Sequence, residues 1–214
     1  MDKKKDLQEA GKELLDAVAI CVTPMNKREK LKDEGCLYFE IADIMFHYFV
    51  TSVENEETRK KAIFKRSLIE GLGIPEEELK EIALKNTMRS MPSKVVGMSE
   101  ILSKLVFCKP EEYYLDGHEF QWVLTNEEQR NGATVLAYPG VLEKMADQMG
   151  DDLRIIPSSV HECIVMGNRL LDQSAEGCSD LIKFVNVWEL QDDEVLSDHA
   201  YIFRRETGKL EVMA

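Results

Sequence analysis

No stretch of this chain approaches the roughly 20 consecutive apolar residues that a helix needs to cross a bilayer, so no membrane-spanning helix is expected. The N-terminus, Met1-Asp2-Lys3-Lys4-Lys5-Asp6, has charges with no apolar core behind them, so no secretory signal is expected either. Paired cysteines are missing. The five thiols, Cys21, Cys36, Cys108, Cys163 and Cys178, are odd in number and none is spaced C-x-x-C. They read as reduced thiols of a cytosolic protein, with Cys163 a small core residue inside an apolar run. Positive charge is also scarce: 27 Lys and Arg face 40 Asp and Glu, for a net charge of −13. Phosphate backbones and anionic membranes both demand a basic face, so direct nucleic-acid binding and membrane docking are disfavoured. Phosphate-cradling loops are absent as well. Gly71-Leu72-Gly73 leads into Ile74-Pro75 and then three acids that would repel a phosphate, and it reads as a turn before a helix. No cofactor is expected.

What is present suits a compact α+β protein. The 214 residues are 44% hydrophobic, enough to form a core without a metal or disulfide staple. Leu7, Ala10, Leu14 and Ala17 recur at helical spacing and predict a helix over 3–19, with Ala17 to Val22 turning β-like before Thr23-Pro24. Residues 26–34 read as a short surface helix. The apolar run 37–53, a turn at Glu54–Glu57 and a return over Lys60–Ser67 resemble a hairpin. Pro75 followed by Glu76, Glu77 and Glu78 is a helix start, and Met91-Pro92 is a break. Ser99 is expected to cap a helix over 100–105.

The second half reads as β-β-α-β-β-α-β-β: strands at Phe120–Leu124 and Ala133–Tyr138, a helix over 141–149, strands at Leu153–Ile156 and Val160–Met166, a helix over 172–187, and a hairpin across Thr207-Gly208. The expected fold is a helical and β-hairpin N-terminal half, residues 1–108, packed on a C-terminal mixed sheet, residues 109–214, in one compact domain.

Reactive side chains cluster in Ile156-Pro157-Ser158-Ser159-Val160-His161-Glu162. Residues two apart on a strand share a face, which would put Ser159 beside His161 with Glu162 opposite. A serine nucleophile needs a base within hydrogen-bond reach and an acid to orient that base, and no glycine elbow precedes this serine. The simpler reading is a turn whose hydroxyls satisfy the backbone. His161-Glu162 opens an H-E-x-x-H-like string, but Val165 stands where the second histidine would be, so no zinc site is assigned. His118-Glu119 and Asp198-His199 set a carboxylate beside an imidazole, and His47 lies within an apolar run as a core histidine. Tyr113, Tyr114, Phe120 and Trp122 bracket a polar loop, as core packing or as an aromatic ridge for a protein partner.

Five pieces in order then resemble a known family: Ile74-Pro75-Glu76-Glu77-Glu78-Leu79 with Ala83 and Asn86-Thr87; Val123-Leu124-Thr125-Asn126 with Asn131-Gly132-Ala133; Tyr138-Pro139-Gly140-Val141-Leu142; Ile156 to Glu162; and Val195-Leu196-Ser197-Asp198-His199-Ala200-Tyr201. Together they resemble the uncharacterised bacterial domain-of-unknown-function family 5688, known mainly from anaerobic gut bacteria. Relatives often carry a long extra N-terminal segment and a longer acidic C-terminal end, which this chain is expected to lack. The resemblance implies a shared fold and a cytosolic setting. It also implies, by analogy with mobile-element cargo, a regulatory or anti-defence role.

The candidate binding set is Ser158, Ser159, His161, Glu162, Tyr138, Asn126 and Asp198, with no catalytic residue and no metal ligand. The expected function is a non-catalytic module that binds a macromolecule, a protein rather than nucleic acid. Two rivals remain: an acidic inhibitor that occludes a partner's nucleic-acid-binding surface, and a small hydrolase or ligand-binding protein built on Ser158, His161 and Glu162.

Overall fold

The computed structural model describes residues 11–53, 59–170 and 174–213. Residues 11–17 are helical (α1), and the chain then enters β1 (Val18–Val22), α2 (Arg28–Asp33), β2 (Tyr38–Ile41), β3 (Ile44–Val53) and β4 (Arg59–Ile63). Residues 3–10 of the predicted first helix and the predicted turn at Glu54–Glu57 lie outside the described residues, and the last two predicted helical residues, Val18 and Ala19, begin β1. Helices α3 (Arg66–Leu72) and α4 (Glu76–Ser90) follow, then β5 (Ser93–Gly97), α5 (Met98–Val106) and β6 (Gln121–Asn126). The chain ends with α6 (Val141–Met149), β7 (Leu153–Pro157), β8 (Cys163–Gly167), α7 (Ala175–Glu189), β9 (Tyr201–Arg204) and β10 (Lys209–Val212). The fold is α+β. No helix among the described residues is long and apolar enough to cross a membrane.

The first sheet runs β1-β3-β2, with β4 also on β3. Strand β3 is long enough to take β2 against Ile44–His47 and β4 against Phe49–Val53 on the edge opposite β1. The predicted hairpin is thus three strands. A tight turn at Ala42-Asp43, with Ala42 at φ 53°, splits the apolar run in two. Alternation along β1 sends Val18, Ile20 and Val22 into the main core and Ala19 and Cys21 to a smaller cluster with Phe49.

The second sheet has the order β10-β9-β7-β8-β6-β5. Every pairing in it is antiparallel, which corrects the expected mixed sheet. The reason is an insertion. The α6 crossover does bring β7 back in the direction of β6, but the β7–β8 hairpin folds β8 between them, antiparallel to both. One face of this sheet, with Leu124, Val165, Ile155, Tyr201 and Phe203, shares a single core with the first sheet, α4 and α6. Strand β5 and helix α5 precede residue 108 in the chain but belong to the second sheet.

Two further expectations change. Ala133–Tyr138 is not a strand; Gly132–Ala137 forms a 3-10 helix buried all round. A short run that is apolar on every side carries no period to tell one element from another. Ser99 is not the cap of α5 but its second residue, after Gly97. The cap is the Glu119 carboxylate, which accepts from the Ser99 N–H (3.2 Å) and the Ser99 hydroxyl. A side chain at position 97 would meet that carboxylate and push it off Ser99, so glycine leaves room for the cap.

Candidate functional site

The Ser158–Glu162 corner joins β7 to β8, and most of its main-chain polar groups, the Ser159 hydroxyl and the His161 ring have internal partners. The Ser158 and Ser159 N–H groups both donate to the Glu162 carbonyl (3.2 Å each), and the Ser159 hydroxyl accepts from the His161 N–H at 3.0 Å. Val160 donates to the Glu194 carbonyl (2.8 Å) and its own carbonyl accepts from Ala133. The Thr125 hydroxyl donates to the His161 carbonyl at 2.8 Å. These bonds hold the 3-10 segment so closely that Gly132 admits no Cβ without striking Thr125, the His161 carbonyl and the Asn126 amide.

The ring of His161 is fixed by the same logic. Its Nδ1 accepts from the Asn131 N–H at 3.0 Å, which leaves the ring proton of the neutral form on Nε2. That nitrogen faces the Glu194 carboxylate at 3.6 Å, with side-chain exposures of 36% and 31%. Ser159 and His161 are neighbours, as the sequence suggests, but the serine hydroxyl bonds to the backbone and the basic ring nitrogen is occupied. They do not form the nucleophile–base pair that attack requires. The acid that reaches His161 is Glu194, not Glu162, Glu119 or Asp198.

The remaining candidates are structural anchors in separate places. Asn126 is fully buried and closes the 126–130 turn through Arg130. The Tyr138 hydroxyl donates to the Met91 carbonyl (2.9 Å), and burial pushes its pKa up. Asp198 holds α7: its carboxylate accepts from the Asn186 amide (2.9 Å) and its carbonyl from the Ser179 hydroxyl (2.7 Å). His47 is partly buried against the Thr23 hydroxyl (2.8 Å), and desolvation, with Lys61 and Lys27 adding to it, lowers its pKa to about 4. His199 lies 3.9 Å from Asp43, which also receives the Tyr201 hydroxyl. Among the described residues no group of three or more His, Cys, Asp and Glu is placed to hold a metal ion.

A larger concavity lies elsewhere among the described residues. A groove of about 1060 Å³ runs between β5, β6 and α6 and is closed off by the 115–120 loop and residues 167–170. Its apolar wall combines Val95, Trp122, Met145 and Leu115. Val141, Lys144, Met145, Gln148 and Met149 recur at helical spacing and turn one face of α6 toward it. Gly97 pairs with Trp122 across the ladder, where the Glu119 carboxylate takes the place of a side chain, and Gly167, at the end of β8, lines the groove without a side chain. On the rim, Arg169 is tied to Asp151 (3.2 Å) and Glu119 to α5, while Lys144 has no ion-pair partner among the described residues.

The predicted aromatic pair Phe120 and Trp122 is here, partly buried, with partly buried Glu119 and exposed His118 beside it. Sequence reasoning missed the groove as a whole, because its walls come from four separate stretches of the chain. A second apolar surface lies on α7, where Phe184 and Trp188 are 61% and 71% exposed beside Leu181 and Val187.

A family model described as "Family of unknown function (DUF5688)" matches residues 12–205. The chain belongs to that family. No curated protein and no solved structure matches this DUF5688 member. The family match spans the first sheet, all of the second but β10, the corner and the groove, and assigns a role to none of them.

Proposed function

We propose that this DUF5688 chain is a cytoplasmic, non-catalytic module that binds a partner polypeptide in the groove between β5, β6 and α6. The observation that carries the reading is the groove itself. Its volume of about 1060 Å³ is at the upper end of the range for specific ligand sites, and its wall is apolar with polar groups at the rim. Lys144 and Asp116 leave that rim mixed in sign, which suits a polypeptide better than a polyanion. The five free thiols suit a reducing compartment. Occluding a nucleic-acid-binding partner is one form that such binding would take. The hydrolase reading is less well supported, since the Ser159 hydroxyl accepts from the His161 main chain and His161 Nδ1 accepts from Asn131, so the two side chains are not paired as nucleophile and base.

The test is selection from a displayed library of random peptides on the immobilised protein, followed by titration of selected peptides. With Trp188→Phe in the background, Trp122 becomes the sole tryptophan and reports groove occupancy by its emission. Selected peptides are expected to shift that emission and to lose affinity at least tenfold on Leu115→Asp. Peptides that bind Leu115→Asp normally but fail on Trp188→Ser would move the site to the α7 surface and overturn the reading.

A further inference from the structure

We infer that the partner segment binds as an added β-strand along β5; this rests on the groove reading and names the conformation of its ligand. Strand β5 is an edge of the six-stranded sheet. The phase of its ladder is set just before it begins: the Glu127 N–H donates to the Pro92 carbonyl at 3.0 Å. In an antiparallel pair, hydrogen-bonded positions alternate with non-bonded ones. Lys94 and Val96, opposite Thr125 and Val123, therefore turn their main-chain groups to β6. Ser93 and Val95 turn theirs outward, an N–H and a C=O from each. Among the described residues these outward groups meet no hydrogen-bond partner.

Two features separate this edge from an ordinary one. The side chains of Ser93 and Val95 point to the same face as Trp122 and Leu124, so the residues with free main-chain groups are those that line the groove. Val95 is 45% exposed, an apolar residue at an open edge without the protective charge that edges usually carry on such a position. Lys94, the charged residue of the strand, points to the other face and is paired with Glu127. An extended segment laid beside β5 would take main-chain bonds from Ser93 and Val95. Every second side chain of that segment would then fall toward the groove and α6. This is strand addition, in which the backbone gives affinity and alternate pockets give specificity. The occupant is thus an extended polypeptide with apolar residues two apart. A second copy of this chain would add another net charge of −13 and repel.

The experiment uses the full chain and the selected peptides. Val95→Pro removes the outward N–H without touching the β6 ladder, a substitution tolerated on an edge whose N–H faces solvent. Val212→Pro does the same on the far edge, because the Met213 N–H to Ala200 carbonyl bond sets Val212 outward on β10, and it serves as the control. Val95→Pro is expected to weaken peptide binding at least tenfold, and Val212→Pro to leave it unchanged. Independently, peptides N-methylated one residue at a time are titrated on the unaltered protein, which removes any doubt about folding. Loss of affinity at every second position is the expected result.

Normal binding by Val95→Pro together with no period of two in the N-methyl scan overturns strand addition. If Leu115→Asp still abolishes binding in that case, the groove reading stands by itself. If neither variant matters, both readings fall. A dimer of the unmodified protein that Val95→Pro converts to a monomer in light scattering would give the edge to a second copy, and also overturns the proposal.

Discussion

Around Ser158–Glu162 the chain gathers two hydroxyls, an imidazole and a carboxylate, and the two hydroxyl-bearing residues and the imidazole are tied to nearby backbone: Ser158 and Ser159 to Glu162, the Ser159 hydroxyl to His161, the ring to Asn131. Along β5 the residues are Ser93, Lys94, Val95, Val96 and Gly97, chemically plain, yet main-chain donors and acceptors stand open beside an apolar groove. The difference teaches that residue type is a poor guide to a binding site. A polar group can recognise a ligand only if folding has left it without a partner. The corner has used its main chain, the Ser159 hydroxyl and the His161 ring to hold two segments together, whereas the strand edge has kept main-chain groups of its own.

The comparison breaks most sharply at Gly132. A Cβ there collides with groups that the corner's own hydrogen bonds hold in place, and relief would require moving β6 or the His161 carbonyl. Gly132→Ala is expected to cost more than about 3 kcal/mol, read as a fall in the urea midpoint. A cost below about 1 kcal/mol would mean that the corner yields, and that it is less rigid than its bonds imply.

Next in size is a pH effect that belongs to neither region. His47 has its pKa lowered from 6.5 to about 4, mainly by desolvation. The folded state resists protonation that the unfolded chain accepts, so stability is full above the unfolded pKa of 6.5 and falls as the pH drops toward 4. The loss is on the order of 2 to 3 kcal/mol. Urea melts from about pH 7 to about pH 4 should show a slope from this group that His47→Gln removes. A slope unchanged in His47→Gln would assign the pH dependence to other groups.

Much of the fold was legible because its signals are local. Pro75 with three acids behind it marks α4, the 3.6-residue stripe of Leu142, Met145 and Ala146 marks α6, and Thr207-Gly208 marks the β9–β10 hairpin. What stayed hidden depends on contacts across the sequence. Gly132–Ala137 is buried on all sides and so has no period, and β5 is five residues between a proline and a helix. The insertion of β8 between β6 and β7 leaves no mark in the order of elements. The site divides the same way. The corner was visible because its residues are adjacent in sequence, which is also why they can satisfy one another. The groove draws on β5, the 115–120 loop, β6, α6 and residues 167–170, and no local motif joins them.

A smaller effect separates structure from recognition at the corner. Ser159→Ala deletes the acceptor of the His161 N–H in a nearly buried turn. The expected cost is about 1 to 2 kcal/mol, with peptide affinity unchanged. Loss of affinity in a protein that remains folded would return the Ser158–Glu162 segment to the site and dissolve the contrast with the groove.

The smallest expected change in stability belongs to Leu115→Asp. Leu115 is an exposed groove residue whose main chain forms the Leu115–His118 bridge, and the substitution leaves that bridge alone. Removing an apolar side chain from solvent-facing surface should move stability by no more than about 0.5 kcal/mol, since no core contact and no buried hydrogen bond is lost. Binding should respond in the opposite proportion. A carboxylate placed against an apolar ligand side chain must be desolvated without a partner, and that penalty outweighs the contact it replaces. Leu115→Asp and Ser159→Ala therefore form a crossed pair, one losing recognition at constant stability and the other losing stability at constant recognition. Measured side by side by urea midpoint and by Trp122 emission, they ask whether the groups left open by folding are the ones that bind. If both variants moved both quantities together, the corner and the groove would be one cooperative unit, and the groove would owe its shape to the bonds at His161.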